Sequence, residues 1–141
     1  MKKSFNEVLS NIPKKDKKYI KKVVFSNKSG KGKTAEFDRR TNHIIVYKEA
    51  VTKPQLSVEK SILHEIGHSI WFNKIWKGKN AKKKGKEYYR IWEKEKVSKY
   101  ATKNYSEGFA EAYAYYRLVP NEFKRMYPET YKFMKEIERE D

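Results

Sequence analysis

The chain has 141 residues, no cysteine, and 34 Lys or Arg against 18 Asp or Glu, for a formal net charge of +16. A hydrophobic content of 38% with 15% aromatics supplies one core and speaks against disorder. The missing cysteines exclude disulfide scaffolds and Cys-ligated zinc knuckles. The charge implies electrostatic attraction to acidic partners or nucleic acid, yet Lys greatly outnumbers Arg, so loose attraction fits better than reading of base edges.

One domain over residues 1–141 is expected, with a basic N-terminal part (1–33), a central part (34–119) and a C-terminal helix (120–141). Residues 5–22 read as one or two short basic helices with Phe5, Val8, Leu9 and Ile12 on one face. The lysine-led N-terminus reaches no apolar run typical of a signal peptide. No stretch approaches the length of a membrane span. Location stays open on the sequence: cytoplasmic as given, or secreted if a leader has been removed.

Val23–Ser26 reads as a strand and Asn27–Lys33 as a turn-rich loop. "TAEFDRRTNHIIVY" reads as a hairpin, with strands near 34–38 and 43–48 around an Arg-Thr-Asn turn. The loop ends in Gly32-Lys33-Thr34, which imitates a phosphate-binding loop. Its first glycine is replaced by Asn27 and a strand follows, so nucleotide binding is not expected.

A helix should enter at 52–57, with Thr52 or Ser57 as cap and Pro54 in the first turn, and run to about residue 75. Val58, Ile62, Ile66 and Ile70 form its buried stripe. Lys74–Lys86, with seven lysines and two glycines, reads as an exposed loop. A helix at 87–98 should pack Tyr88, Ile91 and Trp92 inward. Further helices are expected from near Ser106 to before Pro120, and over 128–140. The elements make an α+β domain, mainly helical, with one small sheet and an edge hairpin. Trp71, Phe72 and Trp76 are expected to pack in the core, with the lining of a substrate groove as the other role open to them.

Chemistry concentrates in "SILHEIGHSI". On a helix His64 and His68 sit one above the other and can face one metal ion, while Glu65 can reach a water bound to it. A catalytic zinc, one per chain, needs a third protein ligand and an open position. The remaining histidine, His43, falls in the hairpin. In "NYSEGFAEAYAYY" Glu107 and Glu111 share one helical face beside an apolar face of Phe109, Tyr113 and Tyr116. The alanines between them allow close helix packing. Two carboxylates on the inner side of such a helix are costly without a cation. Glu107 is therefore assigned as the third ligand and Glu111 as the partner of a ligand histidine. Read singly, the same pairs also fit a chance histidine pair and two solvated glutamates near a helix start.

HEIGH together with "YATKNYSEGFAEAYAYY" resembles the metallopeptidase domain of the anthrax lethal factor family, whose relatives include bacterial Pro-Pro endopeptidases. The resemblance covers roughly residues 34–119. Tyr-x6-Glu-x-Phe-Ala-Glu-Ala is its more discriminating part, because HExxH is common to many zincins. It implies a zincin-like fold and a zinc-dependent endopeptidase with ligands His64, His68 and Glu107, base Glu65, and Glu111 behind a ligand. Tyr100 assists catalysis in this reading, with Tyr105 a nearby alternative. It also implies a peptide or protein substrate lying extended along the hairpin's edge strand. The lysine-rich segment 74–86 departs from the family, as does the lack of any receptor-binding or translocation domain. A basic binding module with a structural zinc is the other reading, and retention of function in Glu65→Gln would favour it.

Overall fold

The computed structural model describes Glu7 and residues 9–139, so Phe5 and Val8 of the expected first apolar face lie outside the described residues. Leu9 and Ile12 of that face pack on the core. A single turn, α1 (Lys14–Lys17), follows Pro13 and buries Asp16.

Three strands form one sheet: β1 (Lys22–Phe25), β2 (Ala35–Asp38) and β3 (His43–Val46), in the order β1-β3-β2. The hairpin forms as expected, with Phe37 opposite Ile44 and Asp38 opposite His43. Its turn closes where the Asp38 carbonyl accepts from the amides of Thr41 and Asn42. Asn42 takes the left-handed conformation (φ 58°) that asparagine tolerates better than most residues. β1 joins parallel to β3, leaving β2 as an edge strand beside the next helix.

The glycine-rich loop before β2 does surround an anion, but an internal one. The Glu49 carboxylate accepts from the amides of Gly30 (2.9 Å) and Gly32 (3.0 Å) and from Ser29 Oγ (3.1 Å). These donors hold the Glu49 carboxyl down at about 2. Gly32, at φ +94°, supplies the left-handed step that turns its amide inward.

α2 (Gln55–Ile70) begins directly after Pro54, which occupies the cap position. Neither Thr52 nor Ser57 caps it: Thr52 ends a 3-10 turn (Lys48–Thr52) and donates to the Glu49 carbonyl. Val58, Ile62, Ile66 and Ile70 are all buried, as the spacing required. The helix continues as a π segment, Trp71–Trp76. A π turn takes more residues than an α turn, so the inward position after Ile70 falls on Ile75 rather than Lys74. It also rotates the aromatics. Trp71 is buried, Phe72 half-buried, and Trp76 stands 62% exposed, contrary to the expected core role for Phe72 and Trp76.

The expected loop at Lys74–Lys86 shrinks to residues 77–80. α3 spans Ala81–Lys94, earlier at both ends than the 87–98 expected. Lysine is a good helix former and loses little on an exposed helical face, so charge density misled where propensity was favourable. Tyr88 and Ile91 are buried and Trp92 is half-buried. A 3-10 turn (Tyr100–Thr102) precedes α4 (Tyr105–Leu118), whose first turn is capped by Asn104 Oδ1 accepting from the Glu107 amide. The C-terminal part is two helices, α5 (Pro120–Met126) and α6 (Pro128–Arg139), separated at Pro128.

The core holds an aromatic stack between the π segment, α3, α4 and α6. The rings of Trp71, Tyr88 and Phe109 lie 5.3–5.7 Å apart, with Phe133 5.4 Å from Tyr88. Arg117 joins both chain ends to α4, donating to Asp16 (2.7 Å) and Glu138 (2.9 Å). The architecture is α+β, mainly helical with one three-stranded sheet. No helix among the described residues is long and apolar enough to cross a membrane.

Candidate metal centre

The geometry starts from how closely α4 lies on α2. A Cβ at Gly67 would meet Ala110 Cα at 2.9 Å and Ala110 O at 3.1 Å, so the glycine inside HEIGH and the alanine inside FAEA form one contact. Only small residues let two helix backbones approach this far. The approach puts Glu107 and Glu111, one turn apart on α4, opposite His64 and His68, one turn apart on α2.

Three donor atoms then converge. Glu107 Oε1 lies 2.9 Å from His64 Nε2 and 3.0 Å from His68 Nε2, and the two nitrogens are 3.1 Å apart. His64 Nδ1 lies 2.9 Å from Glu111 Oε2. With its Nδ1 proton donated to Glu111, a neutral His64 would turn an Nε2 lone pair onto a carboxylate oxygen and a second imidazole nitrogen. Such a convergence of electron-rich atoms requires positive charge among them, as protons or as a cation. A tetrahedral zinc with bonds of about 2.0–2.1 Å holds its ligand atoms about 3.3 Å apart. The donor set and its spacing therefore fit zinc.

Glu65 is near the same point, its carboxylate oxygen within 4.8 Å of both histidine donors. It is not equivalent to Glu107. Oε1 accepts from the Phe37 amide of β2 at 2.7 Å, and Oε2 stays 4.0 Å from His64 Nε2. One oxygen is thus held by the sheet edge while the carboxylate remains beside the histidines. Burial pushes the Glu65 carboxyl above its ordinary value, against the opposing charges of His68 and His64.

The other titrations follow the same packing. Burial pushes His64 down, but hydrogen bonding to Glu107 and Glu111 outweighs it and raises the imidazole to about 9 in the metal-free chain. Burial also opposes ionisation of Glu107 and Glu111. Their hydrogen bonds, to both histidines for Glu107 and to His64 and Ser98 for Glu111, prevail and lower both carboxyls.

A cleft of about 1200 Å³ opens over these side chains, and His64, Glu65, His68, Tyr100, Glu107 and Glu111 all line it. The Tyr100 ring is 5.7 Å from that of His64, edge-on, and half exposed to the cleft. Burial and the charges of Glu107, Glu65 and Glu111 raise its phenol above the ordinary value. Tyr105 also lines the cleft but packs against Trp71 and Tyr89 at 5.6 and 5.7 Å. His43 lies in β3 and is not among the residues lining the cleft.

Sequence reading missed three supporting groups. Ser98 Oγ donates to Glu111 Oε1 at 2.8 Å and accepts from the Ala101 amide, tying the Tyr100 turn to the Glu111–His64 pair. Lys60 lies 3.5 Å from the same Glu111 oxygen. The Phe37 amide holds Glu65. None has a local signature, because each contact joins separate elements. The Asn104 cap did have one: Asn104-x-x-Glu107 is spaced like a capping box.

The family model described as "Anthrax toxin lethal factor, N- and C-terminal domain" matches residues 3–137. The chain belongs to the anthrax toxin lethal factor family. No curated protein compared with the chain matches it. The family description covers two kinds of domain, so what this chain does is argued from its own side chains.

Proposed function

We propose that residues 1–141 act as one zincin-like domain, a zinc-dependent endopeptidase resembling the metallopeptidases of its family. The reading is carried by one observation: three donor atoms of His64, His68 and Glu107 lie within 3.1 Å of one another beneath an open cleft. Zinc held there would supply Lewis acidity and bring a water's pKa towards neutrality.

The chain's own groups provide the rest. Glu65 takes the proton of the attacking water and returns it to the leaving amine. Its carboxylate is held beside the histidines by the Phe37 amide, which accounts for one oxygen and leaves the other free for the water. Tyr100 donates its phenolic hydrogen to the oxyanion of the tetrahedral adduct. Glu111, whose carboxyl is held down by His64 and, less, by Ser98 and Lys60, orients His64 through Nδ1 and so keeps Nε2 turned towards Glu107. An extended peptide adds along the outer edge of β2, which pairs with no other strand among the described residues.

The test is cleavage of a peptide library by the zinc-loaded chain, with Glu65→Gln as matched control and products read by mass spectrometry. Cuts present in the parent and lost in a control that still holds one zinc support the reading. Identical product profiles from two zinc-loaded proteins would refute it, and favour a binding module in which the metal is structural.

A further inference from the structure

Beside the cleft a second hollow, of about 470 Å³, opens between the π segment and α3. Trp71, Trp76 and Tyr105 line both cavities, so the hollow adjoins the cleft across these three rings. From α3 it is lined by Ala81 at the helix start and then by Lys82, Gly85, Lys86 and Tyr89. That i, i+3, i+4, i+7 spacing marks one helical face, distinct from the face that buries Tyr88 and Ile91. α3 therefore presents one stripe to the core and a second, aromatic and basic, to an open cavity.

Gly85 has no structural reason to be glycine. It sits in the middle of a helix, where glycine costs about 1 kcal/mol relative to alanine. Its φ is not positive, and an added Cβ would meet nothing within 4 Å. What the missing side chain leaves is room in the hollow.

The place is suited to substrate. Trp71 follows His68 by three residues and Tyr105 precedes Glu107 by two, so two walls of the hollow stand on the same helices as the candidate ligands, within one helical turn of them along each helix. An extended peptide advances about 3.3 Å per residue. The side chain reaching the hollow therefore belongs to a residue near the scissile bond in the peptide. Aromatic walls take a large apolar group. The ammonium groups of Lys82 and Lys86, both exposed, take a carboxylate beside it, in keeping with the chain's +16 charge.

We infer that this hollow is a specificity subsite for peptides carrying a bulky apolar side chain next to acidic residues. The inference rests on the peptidase reading for the occupant of the cleft, and its test is a binding measurement that needs no turnover. The zinc-loaded full chain carrying Glu65→Gln is titrated, by fluorescence anisotropy, into three labelled Ser/Ala decapeptides containing Phe-Asp-Glu, Ala-Asp-Glu or Phe-Lys-Lys. The first should bind tighter than either other by roughly ten-fold or more, the scale of discrimination in apolar pockets. Adding Gly85→Leu, which fills the hollow, should erase the preference for Phe over Ala, leave the Ala-Asp-Glu affinity unchanged and not lower the melting temperature. Adding Lys82→Glu with Lys86→Glu should reverse the charge preference, whereas reversing the exposed Lys124 and Lys132 should not. Equal affinity for the three peptides overturns the inference even where Glu65-dependent cleavage is found, as does a Phe preference that survives Gly85→Leu. Selective binding without any Glu65-dependent cleavage keeps the hollow as a peptide site and removes the peptidase reading instead.

Discussion

Replacing Gly67 by alanine tests how the candidate centre is held together. The new methyl carbon would lie 2.9 Å from Ala110 Cα and 3.1 Å from both Ala110 O and Tyr113 Cβ, where ordinary contact begins at 3.4 Å. All three neighbours are on α4 and two are backbone atoms, so no side-chain rotation relieves the overlap. The helices must separate by about half an ångström. Overpacking of this kind costs about 1–3 kcal/mol, and the better helix propensity of alanine returns about 1 kcal/mol. The net loss of stability is therefore small, about 0–2 kcal/mol. The larger effect falls on Glu107, one turn before Ala110, which moves away from His64 Nε2 and His68 Nε2 with its helix. Zinc affinity should fall roughly ten-fold or more, the scale seen when ligand orientation is disturbed. Competition with a chromophoric chelator measures the affinity, and thermal melting with and without zinc measures the stability. A Gly67→Ala chain that binds zinc as tightly as the parent and melts at the same temperature would refute the close helix approach as the determinant of the site.

Arg117→Met should destabilise the fold by about 3 kcal/mol, because it leaves the buried Asp16 carboxylate without its cation; an unchanged urea midpoint would contradict this. The Glu49 carboxyl is lowered from 4.5 to about 2, so its contribution is complete above the unfolded value and disappears as pH falls towards 2. The melting-temperature difference between the parent and Glu49→Gln should thus narrow from about pH 6 to about pH 2.5, and a pH-independent difference would refute the internal anion seat. His64 is raised to about 9 in the metal-free chain, so zinc binding at about pH 7.5 should release roughly one proton. Calorimetry in buffers of different ionisation enthalpy reads that proton, and no release would count against His64 as a ligand. Ser98→Ala should lower kcat for peptide hydrolysis more than it raises KM, through loss of the tie between the Tyr100 turn and Glu111; a change in KM alone would argue otherwise.

The paired site candidates were legible in the sequence because their signals are local. His64 and His68, and likewise Glu107 and Glu111, are pairs four apart whose common direction follows from helical periodicity alone. The hairpin was legible for the same reason, since alternation and an Arg-Thr-Asn turn are read within about a dozen residues. The lysine-rich segment was misread as loop because composition is a weak guide when favourable helix propensity and high charge coincide. The π segment was invisible, since nothing in Trp71–Trp76 announces one extra residue per turn, and with it the exposure of Trp76.

What the sequence determined by itself is therefore the periodic elements and the identity of the groups proposed to hold a cation. Which of those groups meet was decided only by tertiary packing. Gly67 against Ala110 sets the helix separation, the Phe37 amide takes one oxygen of Glu65 and so distinguishes it from Glu107, and Ser98 and Lys60 converge on Glu111 from different elements. The physical reason is the same in each case. Periodicity fixes directions along one element, whereas contact distances between elements depend on the volumes and hydrogen bonds that separate them, and these leave no local pattern to read.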